Sequence, residues 1–294
     1  MSSPGGASDP ASLGSEIGLH FSIHRADDPG PIVVEVPHAG LAIDPASAQF
    51  TTVPSRAREA DAPRADADLG ADVIWEESER RGVTRVVAHT HRYVIDLNTN
   101  ARPPPAPPFY EEDPEPRPVI RRSMAGVTWR DEAMPRAELA RRIDAIFDPY
   151  HAAIDGELAR AKRRHRRVLL IASHTFPTAT FPRATSPASH STTADVVLGT
   201  LNGGSLGLDL RDAIGGVFRR AGFSVSLEKP FPGGFSLERH GQLADGIGAI
   251  QIEVARRLLV EPGTDHVVSD AAVRRFQGVV ADVAATATRL LASA

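Results

Sequence analysis

Two histidines close apolar runs of strand length: His38 in VVEVPHAG (33–40) and His174 in LLIASHTF (169–176). Ligands of open α/β sheets bind beyond the carboxyl ends of the strands, so histidines at equivalent strand ends can converge on one ion or substrate. Taken singly, each has the plainer reading of a structural residue hydrogen-bonded to a nearby loop. The stretch ADADLGAD (65–72) adds Asp66, Asp68 and Asp72. A helix cap facing the positive end of the dipole accounts for one such aspartate, but not for all three. Two histidines, a carboxylate and an open fourth position are what a catalytic zinc requires, because the open position takes the water that the metal acidifies. The chain has no cysteine, so any metal it holds rests on His, Asp or Glu.

HTHRYVIDLNTN (89–100) supplies donors. Strand alternation predicts Arg92, Val94, Asp96 and Asn98 on one face and His89, His91, Tyr93 and Ile95 on the other. Arg92 then either pairs with Asp96 or joins Asn98 in holding an anionic substrate or a developing oxyanion. AIQIEVARRLL (249–259) also has two readings. As a strand it sends Ile250, Ile252 and Val254 to one layer and Glu253 to the other, where a carboxylate is costly unless it works as a general base. As a helix from Leu243 onward it leaves Glu253 solvated. GGSLG (203–207) fits the nucleophile elbow of a serine hydrolase, with Ser205 as nucleophile. However, Gly199, Thr200, Leu201 and Asn202 separate Ser205 from the preceding strand, and an anion-binding loop at a helix N-terminus fits the same residues. A non-catalytic binding protein is the other rival class, and it has no need of a general base at position 253.

These residues need a sheet to position them. Strand-length apolar runs are expected at 32–36, 84–88 continuing through 93–97, 168–172, 195–198, 224–227 and 250–254, and helical periodicity at 67–81, 136–163, 208–221 and 270–292. Their alternation predicts a three-layer α/β/α sandwich with a mixed, mainly parallel sheet. With 294 residues the expectation is a disordered tail over 1–17 and a single catalytic domain over 18–294. The proline-rich stretch 103–118 is expected to form a long loop, since proline lacks the N–H that helices and central strands need. A balance of 33 basic against 37 acidic residues argues against nucleic-acid or membrane-surface binding and favours a small-molecule partner. No leader-like start and no run of about 18 apolar residues is present, so a soluble, cytoplasmic protein is expected.

Taken together, PHAG (37–40), DLGA (68–71), RYVIDLN (92–98), PYHAAI (149–154), SHTF (173–176), DVVLGT (195–200), GGF with RHG (233–241) and IQIE (250–253) resemble the N-formylglutamate amidohydrolase family over residues 30–258. The resemblance implies a zinc-exopeptidase-like fold, related to carboxypeptidases and aspartoacylase. It also implies a hydrolase that removes an N-formyl or other small N-acyl group from an amino-acid-like substrate. By position, His38, Asp68 and His174 match ligands of one zinc ion, or of another divalent cation, with Asp66 as the fallback carboxylate. Glu253 matches the general base. Arg92 and Asn98 match contacts to the substrate or oxyanion, and Gly234 and His240 lie in the matching substrate loop, while His151 is expected to be structural. The chain departs from the family at Thr99, where many relatives carry arginine; Arg102, Arg121 or Arg122 is then expected to supply the cation for a substrate carboxylate. It departs again at Leu41, where the fold relatives place the carboxylate ligand.

Overall fold

The computed structural model describes residues 15–50, 64, 66–102, 134–177, 192–264 and 266–293. The expected proline-rich loop at 103–118, Arg121 and Arg122 lie outside them, as do residues 1–14 of the expected tail. Eight strands form one sheet: β1 (Glu16–Ile17), β2 (Phe21–His24), β3 (Ile32–Val36), β4 (Thr84–Ala88), β5 (Val168–Phe176), β6 (Val196–Gly199), β7 (Val225–Leu227) and β8 (Ile247–Ala255). Their spatial order is β1-β2-β4-β3-β5-β8-β6-β7. The central four, β4-β3-β5-β8, run parallel, whereas β1/β2, β2/β4 and β6/β8 pair antiparallel. The sheet is therefore mixed and mainly parallel, as expected. β1 and β2 were not anticipated, and β1 places Glu16 and Ile17 in the sheet rather than in a tail.

Two apolar layers cover the faces. Ile32, Val34, Val36, Ile250, Ile252 and Val254 point to a layer built from α4 (Leu208–Arg220) and α6 (Asp270–Ser293). Val33, Leu170, Ala172 and Ala249 point to the other, built on α2 (Arg136–Arg142) and α3 (Asp148–Lys162). A π-helical turn, Ile143–Phe147, joins α2 to α3 just before Pro149, whose missing N–H breaks the regular ladder. The helix expected at 136–163 thus exists with a shifted register at its middle. Among the described residues the remaining α-helices are α1 (Pro45–Ala48) and α5 (Phe235–His240). Among the described residues no helix is long and apolar enough to cross a membrane.

Three expectations fail for one reason: polar side chains capture backbone groups that regular structure would have used. Residues 67–81 form no α-helix but two 3-10 turns, Val73–Trp75 and Ser78–Arg81. There Arg256 donates to the Ala67 carbonyl, Thr175 to Leu69 and Ser173 to Ala71. The same bonds let β5 run to Phe176, past Ala172, because Ser173 and Thr175 find partners and β8 pairs with it throughout. The strand expected at 93–97 is a series of turns, in which Asp96 Oδ1 accepts the Asn98 N–H (2.9 Å) and the carbonyls of Val94 and Leu97 are taken by Arg142 and His151.

The chain changes direction in the sheet between β3/β4 and β5, and a switch point of this kind leaves a crevice at the carboxyl ends of the strands. The loops after β3 and β4 are zipped together: Ala42 N–H donates to His89 O (2.9 Å) and His91 N–H to Ala42 O (2.8 Å). Gly40 lies against the His89 backbone. A Cβ there would sit 2.3 Å from the His89 carbonyl carbon and oxygen. Gly40→Ala should therefore lower the unfolding free energy by about 2–3 kcal/mol in a urea titration, the cost of forced overpacking. A change below about 0.5 kcal/mol would contradict this packing.

Candidate active site

β3 and β5 deliver the two strand-end histidines to the crevice, and the segment before the first 3-10 turn brings Asp68 between them. Asp68 Oδ2 lies 2.8 Å from His174 Nδ1 and 3.6 Å from His38 Nδ1. All three residues are buried, and each offers a ligand atom within 4.8 Å of the others. Asp68 is held in place through its own N–H, which donates to the His38 carbonyl (2.9 Å). Asp66, the alternative carboxylate, instead accepts the Tyr93 hydroxyl.

The ring orientations fit a metal. His38 Nε2 is engaged by Asp96 Oδ1 (2.9 Å), which turns Nδ1 toward Asp68 and His174. That Nδ1 is buried and has no hydrogen-bond partner among the described residues. A carboxylate gripping the far nitrogen of an imidazole is the usual support for a ligating histidine. Charge fits as well. Burial disfavours a cationic His174, yet its hydrogen bond to Asp68 and the nearby Glu253 and Asp68 charges raise its pKa to about 9. The carboxylates thus hold a proton on the ring, at the position where a cation would satisfy the same charges.

Glu253 stands opposite His174 in the β5/β8 ladder and faces the same layer as Gln251 and Ala249. The alternative helix from Leu243 is excluded, because this segment is β8. Burial, reinforced by the Asp68 charge and opposed by His174, His38 and Arg92, pushes the Glu253 carboxyl up to about 7. Gln251 Nε2 donates to Glu253 Oε1 (2.9 Å).

Arg92 and Asn98 also arrive here, although from turns rather than a strand. Arg92 Nη2 donates to Asp96 Oδ2 (2.9 Å), and Nη1 lies 3.8 Å from Asp68 Oδ1. The pairing with Asp96 is therefore present, and the guanidinium also borders the cluster. Burial opposes the charge of Asp96, but His38 and Arg92 overcome it and hold its carboxyl far below the usual range. Asn98 Nδ2 lies 3.4 Å from His174 Nε2, and Asn98 Oδ1 accepts the Ser236 N–H (3.0 Å).

Of the other expected site residues, Gly234 lies against Asn98, whereas His240 and Arg102 are paired outside the cluster. Gly234 gives Asn98 room: a Cβ there would lie 2.4 Å from Asn98 Nδ2. His240 has both ring nitrogens engaged, by Asp155 (2.7 Å) and His151 (2.9 Å), and so has none left for a substrate. Arg102 forms a two-pronged pair with Asp148 (2.8 and 2.7 Å) on the surface. Ser205 is buried and donates to the Ala249 carbonyl (2.9 Å), and the loop before it turns through left-handed Leu201 and Asn202, which is not a tight strand-to-helix elbow. Two residues at the site escaped sequence reasoning in these roles. Asp96 was visible only as a partner for Arg92, although its spacing to Asn98 in DLN is that of a side chain capping its own turn. Gln251 was detectable two residues before Glu253, on the same face of the strand.

Fold and site together define an α/β protein whose parallel centre presents a buried His–Asp–His cluster of metal-ligating geometry, with a second carboxylate beside it. A sequence profile of the N-formylglutamate amidohydrolase family matches residues 30–260, and the chain belongs to that family. It is 29% identical over 237 residues to an N-formylglutamate deformylase of Pseudomonas aeruginosa, covering 77% of this chain and 80% of that one. Identity to an N-formylglutamate deformylase of Pseudomonas putida is 27%, covering 79% and 82%. The crystal structure of an N-formylglutamate amidohydrolase from Ralstonia eutropha superposes with a TM-score of 0.76 at 25% identity, covering 92% of this chain and 99% of that one. A protein from Agrobacterium tumefaciens shares the fold at 18% identity, with a TM-score of 0.68 and coverage of 93% and 96%.

Asp96→Asn should weaken divalent-cation binding about 10–100-fold, the usual effect of removing the outer partner of a ligating histidine. Competition titration with a chelating indicator checks this. An unchanged affinity would show that Asp96 does not orient His38.

Proposed function

We propose that the protein is a metal-dependent amidohydrolase that hydrolyses the N-formyl amide of an amino acid, releasing formate and the free amine. The observation that carries this reading is the convergence of His38 Nδ1, Asp68 Oδ2 and His174 Nδ1 beside the buried Glu253, in a chain of this family. The relatives named as N-formylglutamate deformylases make N-formylglutamate the first substrate to test.

His38, Asp68 and His174 would hold one divalent cation, zinc by the preference of an N,N,O donor set with an open position. Such an ion would polarise the acyl oxygen and acidify a water molecule. Glu253 accepts a proton from the water that attacks the formyl carbon, and returns a proton to the departing amine nitrogen. Burial favours the protonated form of this carboxyl, which eases its taking up the proton. Gln251 keeps one Glu253 oxygen occupied, so the other is free to exchange the proton. Arg92, firmly protonated beside Asp96, has a buried Nε–H without a partner among the described residues, and it stabilises negative charge on the acyl oxygen or the substrate carboxylate. Asn98 borders the same space from the side of His174.

Glu253→Gln should lower kcat about a thousandfold with metal content unchanged. Residual turnover above a tenth of the parent rate would remove Glu253 from the proton-transfer role. Chelation should abolish N-formylglutamate hydrolysis and added zinc should restore it, while full activity in metal-free protein would overturn the whole assignment.

A further inference from the structure

Away from the His–Asp–His cluster, two further histidines are buried against each other. His151, on α3, and His240, at the end of α5, stack with ring centroids 5.2 Å apart and are bonded through His151 Nδ1 and His240 Nε2 at 2.9 Å. Beyond them the chain of contacts continues in both directions. His151 Nε2 meets the Leu97 carbonyl at 3.0 Å, and His240 Nδ1 meets Asp155 Oδ1 at 2.7 Å.

Three hydrogen bonds in line require three protons. The Leu97 carbonyl and the Asp155 carboxylate only accept, so His151 carries a hydrogen on Nε2 and His240 one on Nδ1. The bond between the rings needs another, yet two neutral imidazoles carry only two N–H groups in all. The line is therefore complete only when the pair holds a third proton and a net positive charge.

Burial, followed by the charges of His240 and Arg239, depresses His151 to about 3. Asp155 stays ionised despite its partial burial because His240 and Arg239 face it, the latter with Nη2 3.1 Å from Oδ2. Asp148, one turn before His151 on α3, is committed to Arg102. Phe147, Tyr150 and Phe235 pack around His151 and keep water from competing for the Leu97 carbonyl.

We propose that His240 and His151 form a charged relay of positioning residues that fixes the Leu97 carbonyl and, through the next peptide, the Asn98 amide against His174. Asn98 follows Leu97 directly. Its N–H holds Asp96, the partner of His38, and its side chain reaches His174 Nε2. The consequence for turnover rests on the amidohydrolase reading, whereas the proton count does not.

Nitrogen-15 NMR of the full-length protein, labelled at histidine, reads the count directly. The wild type should show three protonated nitrogens in the His151–His240 pair. Asp155→Asn should show two: Arg239 can only donate, so the new amide turns its oxygen to Arg239 and its NH2 to His240 Nδ1, which then needs no proton of its own. Two protonated nitrogens in the wild type, or three retained in Asp155→Asn, would overturn the charged relay. For positioning, His240→Phe should reduce kcat/KM about tenfold, the worth of roughly one buried hydrogen bond, with bound metal unchanged. A folded His240→Phe protein with parental kcat/KM would overturn the positioning role. Absence of deformylase activity in the wild type itself would strike the functional reading and leave the NMR result to stand or fall separately.

Discussion

A single buried carboxylate oxygen, Asp68 Oδ2, lies between the Nδ1 atoms of two imidazoles that come from different strands. A carboxylate with so little solvent around it is tolerable only if opposite charge faces it at close range. His174, Arg92 and a divalent cation are the candidates for that charge, and each requires its own support. Asp96 turns His38, Asn98 borders His174, and Arg256 grips the carbonyl of the residue before Asp68. The position of one oxygen atom thus depends on β5 itself and on described residues that follow β3, β4 and β8.

Around the cluster, the described residues of these segments bind one another's polar groups. Trp75 donates to Ser173 Oγ, which in turn donates to Ala71 O; Arg142 donates to Val94 O; the Phe235 N–H donates to Asn98 O. Buried networks of this kind bring several segments into one arrangement, since any member that moved would leave another unsatisfied. Rigidity matters for proton transfer, where small displacements of base or nucleophile are costly. Glu253 stands in a nine-residue strand paired along its whole length with the strand bearing His174, so the base and one ligand share a single rigid unit.

Regular elements were legible where apolar residues alone decide the structure. β3 and β4 match the apolar runs of 32–36 and 84–88, and helical periodicity marks 208–221 and 270–292 closely. The failures at 67–81 and 93–97 lie where side chains distant in sequence capture backbone carbonyls, which no local pattern records. The same division holds at the site. His38, His174 and Glu253 stood out because a polar residue at the end of an apolar strand, or within one, needs an explanation, and Asp68 because one helix cap cannot account for three aspartates. The support that Asp96 gives His38 crosses 58 residues, and the contact of Asn98 with Gln251 crosses 153, so neither leaves a mark in its own neighbourhood. His240 shows the converse: the family resemblance implied a substrate contact, but Asp155 and His151 occupy both of its nitrogens.

Anomalous diffraction at the zinc edge from crystals of zinc-loaded protein tests the central claim most directly. The account predicts one strong peak about 2.0–2.2 Å from each of His38 Nδ1, Asp68 Oδ2 and His174 Nδ1. A peak elsewhere, or none at full zinc loading, would contradict it.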